Sequence, residues 1–144
     1  MPEPVFVALL LADRVITEDN QKKGIIGTFT KFSLRQLPAI LPPWFIYAAV
    51  TNLLGDHSFS VNLVFDRSQQ VIFSAGGRVS VDSLRRVVEL VIPVANVSFV
   101  EEGIYTVCFF IDGDQIGSRV LEVSKVEDTP GPAQGQRPAQ APEG

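Results

Sequence analysis

The chain is poor in residues that staple, ligate or react: its 144 residues include one Cys, one His and one Trp. Cys108 therefore has no internal disulfide partner. A Cys/His zinc site, which needs four ligands, has only Cys108 and His57 to draw on. Such staples are not required at this length, because a domain of this size buries roughly 70% of the surface its unfolded chain exposes. The near-absence of cysteine points to a reducing compartment, and a cytoplasmic location is expected.

Charge is also sparse, with 12 Lys and Arg against 16 Asp and Glu and a net charge of -4. These charges are scattered, so the basic face needed to neutralise phosphates is missing and no nucleic-acid partner is expected. Nor is there an apolar run of the ~20 residues that a membrane-crossing helix requires. Residues 5–12 (VFVALLLA) imitate a signal core, but the preceding MPEP carries Glu3 and no Lys or Arg. Residues 39–50 are interrupted by Pro42 and Pro43. Both runs read as core strands, and no membrane association is expected.

What is present is β patterning. In residues 59–66 (FSVNLVFD), Phe59, Val61, Leu63 and Phe65 share one face and Ser60, Asn62 and Asp66 are among those on the other, as in a half-buried strand. Turn-prone Asp66-Arg67-Ser68 and the run 70–74 (QVIFS) follow, giving a hairpin. Residues 104–111 and 116–123 flank Asp112-Gly113-Asp114, where Gly supplies the positive φ of a tight turn. Strands are also expected over 25–32, where Gly27 suggests a bulge, and over 44–53. Ala75-Gly76-Gly77 reads as a bend between strands, since no P-loop Lys-Ser/Thr follows it.

Residues 82–91 (DSLRRVVELV) fit both helical and strand spacing, and their valine content favours a strand. Residues 5–12 are apolar on both faces, so the first strand has a second face that something must cover. The candidates are large neighbouring side chains, a partner, or a second copy of the chain. Beyond residue 126 the composition changes to Pro, Gly, Ala, Gln, Thr and charged residues, which cannot offset the entropy of ordering. The expected organisation is a domain over 1–124 and a disordered tail over 125–144.

Phe99-Val100-Glu101-Glu102-Gly103-Ile104-Tyr105, then Ile111-Asp112-Gly113-Asp114, resembles the closing portion of an uncharacterised family of short bacterial all-β proteins. Leu10-Leu11-Ala12-Asp13 and residues 23–29 (KGIIGTF) are similar to that family's first hairpin, and Leu37-Pro38 to its Phe-Pro. The resemblance implies a fold and no activity. Independently, Glu101, Gly103, Tyr105 and Val107 alternate as acid, Gly, Tyr and Cys do in immunoglobulin domains, which marks Tyr105 for a tyrosine corner. Together these readings predict one antiparallel β-sandwich, immunoglobulin-like or C2-like, of about seven to nine strands.

Chemistry-bearing groups are few. Asp56-His57-Ser58 spells a catalytic trio, but adjacent residues of an extended chain point to opposite faces and cannot form a relay. Cys108 lies within VCFFI, where a thiol serves as a small hydrophobe, so a Cys108–His57 dyad is not expected. Asp56, Asp112 and Asp114, with Glu18, Asp19 and Asp66, are loop carboxylates that a C2-like sandwich gathers around calcium; these are the only metal candidates, and no cofactor is implied. Arg85, Arg86 and Arg78 read as a solubilising surface.

The sequence therefore points to a non-enzymatic module that binds another protein or itself. The alternatives are a loop-end site for calcium or a small polar ligand such as a carbohydrate, and a homo-oligomeric structural subunit.

Overall fold

The computed structural model describes residues 3–127. Among these the regular structure is all β: β1 (Val5–Thr17), β2 (Lys23–Thr28), β3 (Lys31–Leu34), β4 (Ala39–Ile40), β5 (Trp44–Thr51), β6 (Gly55–Phe65), β7 (Gln70–Val81), β8 (Val88–Val94), β9 (Ser98–Phe99), β10 (Gly103–Ile111) and β11 (Asp114–Lys125). One sheet has the order β2-β1-β5-β8, the other β3-β11-β10-β6-β7, and β4 and β9 form a two-stranded ribbon. Leu9, Leu11, Ile46, Ala48 and Leu90 from the first sheet and Val61, Leu63, Val107, Phe109 and Leu121 from the second meet in one buried cluster. Period-two alternation dictates this: on β10 the odd positions from Tyr105 to Ile111 are buried and the even ones are not.

Most strand readings hold, and five expectations are corrected, the fifth being the bulge at Gly27. The run 25–32 is two strands, because β2 ends at Thr28 and β3 begins at Lys31 in the opposite sheet. The pairing is not wholly antiparallel, since β3 runs parallel to β11. Ala75-Gly76-Gly77 lies inside β7 opposite Val61, Ser60 and Phe59, because the absent side chains admit the Phe59 ring and backbone. Residues 82–87 are a connection, and the strand starts at Val88. Thr51 Oγ1 accounts for that boundary: it donates to the Arg86 carbonyl at 2.9 Å, while the Asn52 N–H takes the Leu84 carbonyl. β11 continues to Lys125, and the expected disordered tail lies outside the described residues from 128 onward.

Tyr105 makes the corner anticipated from its position. Its hydroxyl donates to the Glu101 carbonyl at 2.6 Å, and its ring packs edge-on against Phe99 and tilted against Phe65.

The second face of the first sheet is covered only in part: Val5, Phe6 and Val7 at the start of β1 stay exposed, at 51%, 40% and 49%, whereas the middle of β5 is buried. Tyr47 (8% exposed) and Ala49 (1%) are buried, although their neighbours Ala48 and Val50 are the ones that enter the core cluster. β1 leaves β5 at Ala12, and across the β1–β2 hairpin Asp13 faces Gly27, which takes φ 72° without shifting the register of the flanking pairs. A straight hairpin would carry its tip on the order of 30 Å away from Val88, at ~3.4 Å per residue. Instead the tip residues Gln21 and Lys23 share a cleft of about 340 Å³ with Val79, Ser80 and Val81 of β7 and with Arg86, Val88, Glu89 and Leu90. The hairpin therefore turns back toward the β7–β8 side of the sandwich, and Gly27 lies in that arm without a bulge in its register.

Candidate functional site

Two regions concentrate polar chemistry or open apolar surface: the β5–β6 and β10–β11 loops, and the end of the sandwich where Pro42 and Pro43 precede β5.

In the first, Ile111 pairs with Phe59, so the Asp112-Gly113 turn, with φ 51° and 87°, is delivered directly to His57 and Ser58. Asp112 Oδ2 lies 2.5 Å from His57 Nδ1, and Oδ1 accepts the Ser58 N–H at 2.9 Å. His57 Nε2 lies 2.9 Å from the Leu54 carbonyl. Both ring nitrogens thus face acceptors, and the doubly protonated imidazolium is the form that satisfies both. The Asp112 carboxylate, and next the Leu54 carbonyl, raise the His57 pKa above the ordinary 6.5. His57, and next the Ser58 N–H, hold Asp112 below the ordinary carboxylate value.

This constellation is a clamp rather than a relay. A general base needs a free lone pair aimed at the nucleophile's proton, and both His57 nitrogens are occupied. The Ser58 hydroxyl approaches Asp112 Oδ1 at 3.5 Å. Asp56, sequence neighbour of His57, sits on β6 opposite Ser80 and adds only its charge, the last of the causes that raise the His57 pKa.

The calcium candidates do not converge, because Asp112 is spent on His57 and Ser58. Among the described residues no group of three His, Cys, Asp or Glu side chains is placed to hold a metal ion. Cys108 is half-buried on the face of β10 opposite Val107, between Asn62 and Ser118. Burial, and next the charge of Asp66, raise its thiol pKa, so the thiolate that a nucleophile needs is suppressed. Arg86 lies 3.8 Å from Asp82, and Arg78 is exposed on β7.

The second region is the better-formed concavity, a cleft of about 340 Å³. Trp44 (4% exposed) and Phe32 (8%) form its floor, their rings 5.7 Å apart and nearly perpendicular. Half-buried Leu34 and Leu41 form the walls, and exposed Pro42, Pro43, Ser33 and Asp13 form the mouth. The floor is rigid because it continues into the core: Phe32 packs on Phe99, which packs on Tyr105. The mouth stays open because Pro42 and Pro43 donate no N–H and cannot extend β5 backward into the ribbon.

Gly27 positions the one carboxylate. A Cβ at Gly27 would overlap the Asp13 carboxylate, so the missing side chain is the space that Asp13 occupies at the cleft's mouth. Sequence reasoning placed Phe32 and Trp44 on strands, Asp13 only within the first-hairpin resemblance, and the two prolines in a connection. Their convergence depends on bringing β1, β3 and β5 to one end of the molecule, which no local pattern announces. The available signal was Pro42-Pro43 directly before the only Trp.

No curated protein matches this sequence. A family model does match over residues 7–124, which spans every strand except the ends of β1 and β11. The chain therefore belongs to the family of unknown function DUF6941.

Proposed function

We propose that this protein is a non-enzymatic interaction module whose contact site is the cleft formed by Phe32, Leu34, Leu41, Pro42, Pro43 and Trp44. The observation that carries this reading is the cleft itself. Other clefts of the molecule are as large or larger, and what sets this one apart is its lining, apolar but for Asp13 and Ser33, as in pre-formed ligand sites that are mostly apolar with a few placed polar groups. The groups with letters suited to catalysis support the same reading from the other side. His57 is committed to a clamp, and Cys108 is held as a thiol.

The test is affinity capture from the host's lysate with the full chain and with Ser33→Arg. Ser33 is exposed at the mouth, so an Arg there obstructs the cleft and meets Asp13 without disturbing the core. A stoichiometric partner held by the natural chain and lost by Ser33→Arg, with both chains melting alike, is the expected result. A partner retained equally by both chains, or no partner at all, overturns the assignment of function to this cleft.

A further inference from the structure

We propose that β7 pairs edge to edge with β7 of a second copy of this chain, about a two-fold axis at Gly77, so that one continuous sheet runs through both copies. The inference is independent of the cleft, which is lined from β1, β3, β5 and the connection before β5.

Among the described residues, β2, β8, β3 and β7 end the two main sheets. An end strand offers unpaired N–H and C=O groups to any extended chain, and short length, Lys, Pro and charge discourage that pairing. β2 carries Lys23, β3 spans only Lys31–Leu34, and β8 carries Glu89 and Pro93, which has no N–H. Where β1 lacks β2, Arg119 and the Phe29 N–H take the Leu9 and Leu11 carbonyls, and Phe6 lies against Gly117 of β11. β7 differs from all of these. It runs from Gln70 to Val81 with no Lys, Pro, Asp or Glu, and its bulge comes before Phe73.

The register on β6 identifies which β7 groups are open. Ser58 gives its N–H to the Asp112 carboxylate and its carbonyl to the Asp112 N–H, so the even positions of β6 turn their backbone toward β10. In an antiparallel ladder the bonded positions alternate, so the odd positions of β6 bond to β7. Ser58, Ser60 and Asn62 face Arg78, Gly76 and Ser74, and Asp56 faces Ser80. The backbone groups of Ser74, Gly76, Arg78 and Ser80 therefore point away from β6, along the open edge.

These open positions select a second copy because they are symmetric about Gly77. An antiparallel pairing centred there sets Ser74 against Ser80 and Gly76 against Arg78, and each exchanges both backbone bonds with its opposite. On the same centring Ala75 meets Val79 and Phe73 meets Val81, so small side chains face larger ones on the core side. Arg78, the one charge of β7, lies over a glycine, and no like charges stand opposite each other. A two-fold contact requires this self-complementarity, whereas a foreign strand has no need of it.

The experiment measures the solution mass of the full chain by sedimentation across micromolar concentrations. It compares the natural chain, Ser74→Lys with Ser80→Lys, and Ser74→Glu with Ser80→Lys. Both serines are exposed. In the proposed register residue 74 faces residue 80 of the other copy twice, so the first variant opposes like charges and the second opposes unlike ones. The expected result is a dimer of the natural chain, bound about tenfold more weakly in the Lys/Lys variant and at least as tightly in the Glu/Lys variant, with native circular dichroism throughout. Net charge alone predicts the reverse order, because the Lys/Lys variant brings the natural charge of -4 closer to zero.

A natural chain that stays monomeric overturns the proposal; if it instead holds a lysate partner that the Lys/Lys variant releases, the edge belongs to a foreign strand. A dimer that responds equally to both variants, or to neither, also overturns it and places the contact elsewhere, as on exposed Val5, Phe6 and Val7.

Discussion

At the scale of single residues, His57 and Asp112 couple stability to pH in a way whose sign is fixed by their surroundings. The His57 pKa is raised in the folded chain, so its contribution is complete below the unfolded value of 6.5 and disappears as pH rises through the folded value. The Asp112 pKa is lowered, so its contribution is complete above the unfolded value of 3.8 and disappears as pH falls through the folded one. The pair therefore acts fully between those two limits. Because both side chains are solvent-accessible, at 21% and 48%, the effect is within ~1 kcal/mol. Melting of the natural chain and of His57→Gln should differ most near pH 5.5 and converge by pH 9; a difference that grows with pH would contradict the clamp.

Tyr105 is a second residue-scale case. Phe in its place keeps the ring contacts with Phe65 and Phe99 and removes only the bond to the Glu101 carbonyl. The expected cost in denaturant unfolding is about 1 kcal/mol, the net contribution of one such hydrogen bond.

At the scale of elements, the β1–β2 hairpin depends on one glycine for two separate reasons. Gly27 has φ 72°, which L side chains adopt only under strain, and any Cβ there overlaps Asp13. Gly27→Ala should destabilise the chain by about 1–2 kcal/mol. Adding Asp13→Ala should restore the steric part and leave the backbone part, so the double variant falls between Gly27→Ala and the natural chain; full restoration would show that φ carries no strain.

The same scale shows what the sequence discloses. Alternation in β6 and β10 and the Asp112-Gly113 turn are local properties, and they were readable as such. The split between β2 and β3, the parallel partner of β3 and the loop over residues 82–87 were not, because each is decided by a distant group. Thr51 and Asn52 hold the loop carbonyls of Leu84 and Arg86, and β11 supplies the ladder for β3. The clamp was half legible: the letters Asp56-His57-Ser58 marked the place, but the acid that matters is Asp112, brought there by the β6–β10 register. The cleft was not legible, because it exists only once β1, β3 and β5 share one end of the sandwich.

At the scale of the whole molecule, Tyr47 and Ala49 on the outer side of the first sheet are buried, while Val5, Phe6 and Val7 at the start of β1 stay exposed. Within the arm, the paired Val15 and Ile25 are half-buried, while Ile16 (43%) and Ile26 (39%) face outward, so the Val15–Ile25 face is the one turned to the sheet. On the sheet Tyr47 donates its hydroxyl to Glu89, and its pKa is raised to about 12, first by burial and then by that carboxylate. The chain has two tyrosines, Tyr47 and Tyr105, both raised above the usual value of 10.0, so a change in phenolate absorbance relative to Tyr47→Phe reports on Tyr47. Val15→Asp with Ile25→Asp should loosen the arm, rehydrate Tyr47 and bring one of the two tyrosines into titration near pH 10–11, with circular dichroism still native. The exposed face should then bind an apolar dye and raise the solution mass with concentration, since an uncovered apolar sheet face associates. If the double variant leaves the tyrosine titration of the natural chain and the mass unchanged, the burial of Tyr47 belongs to the sheet alone and the arm is not what protects it.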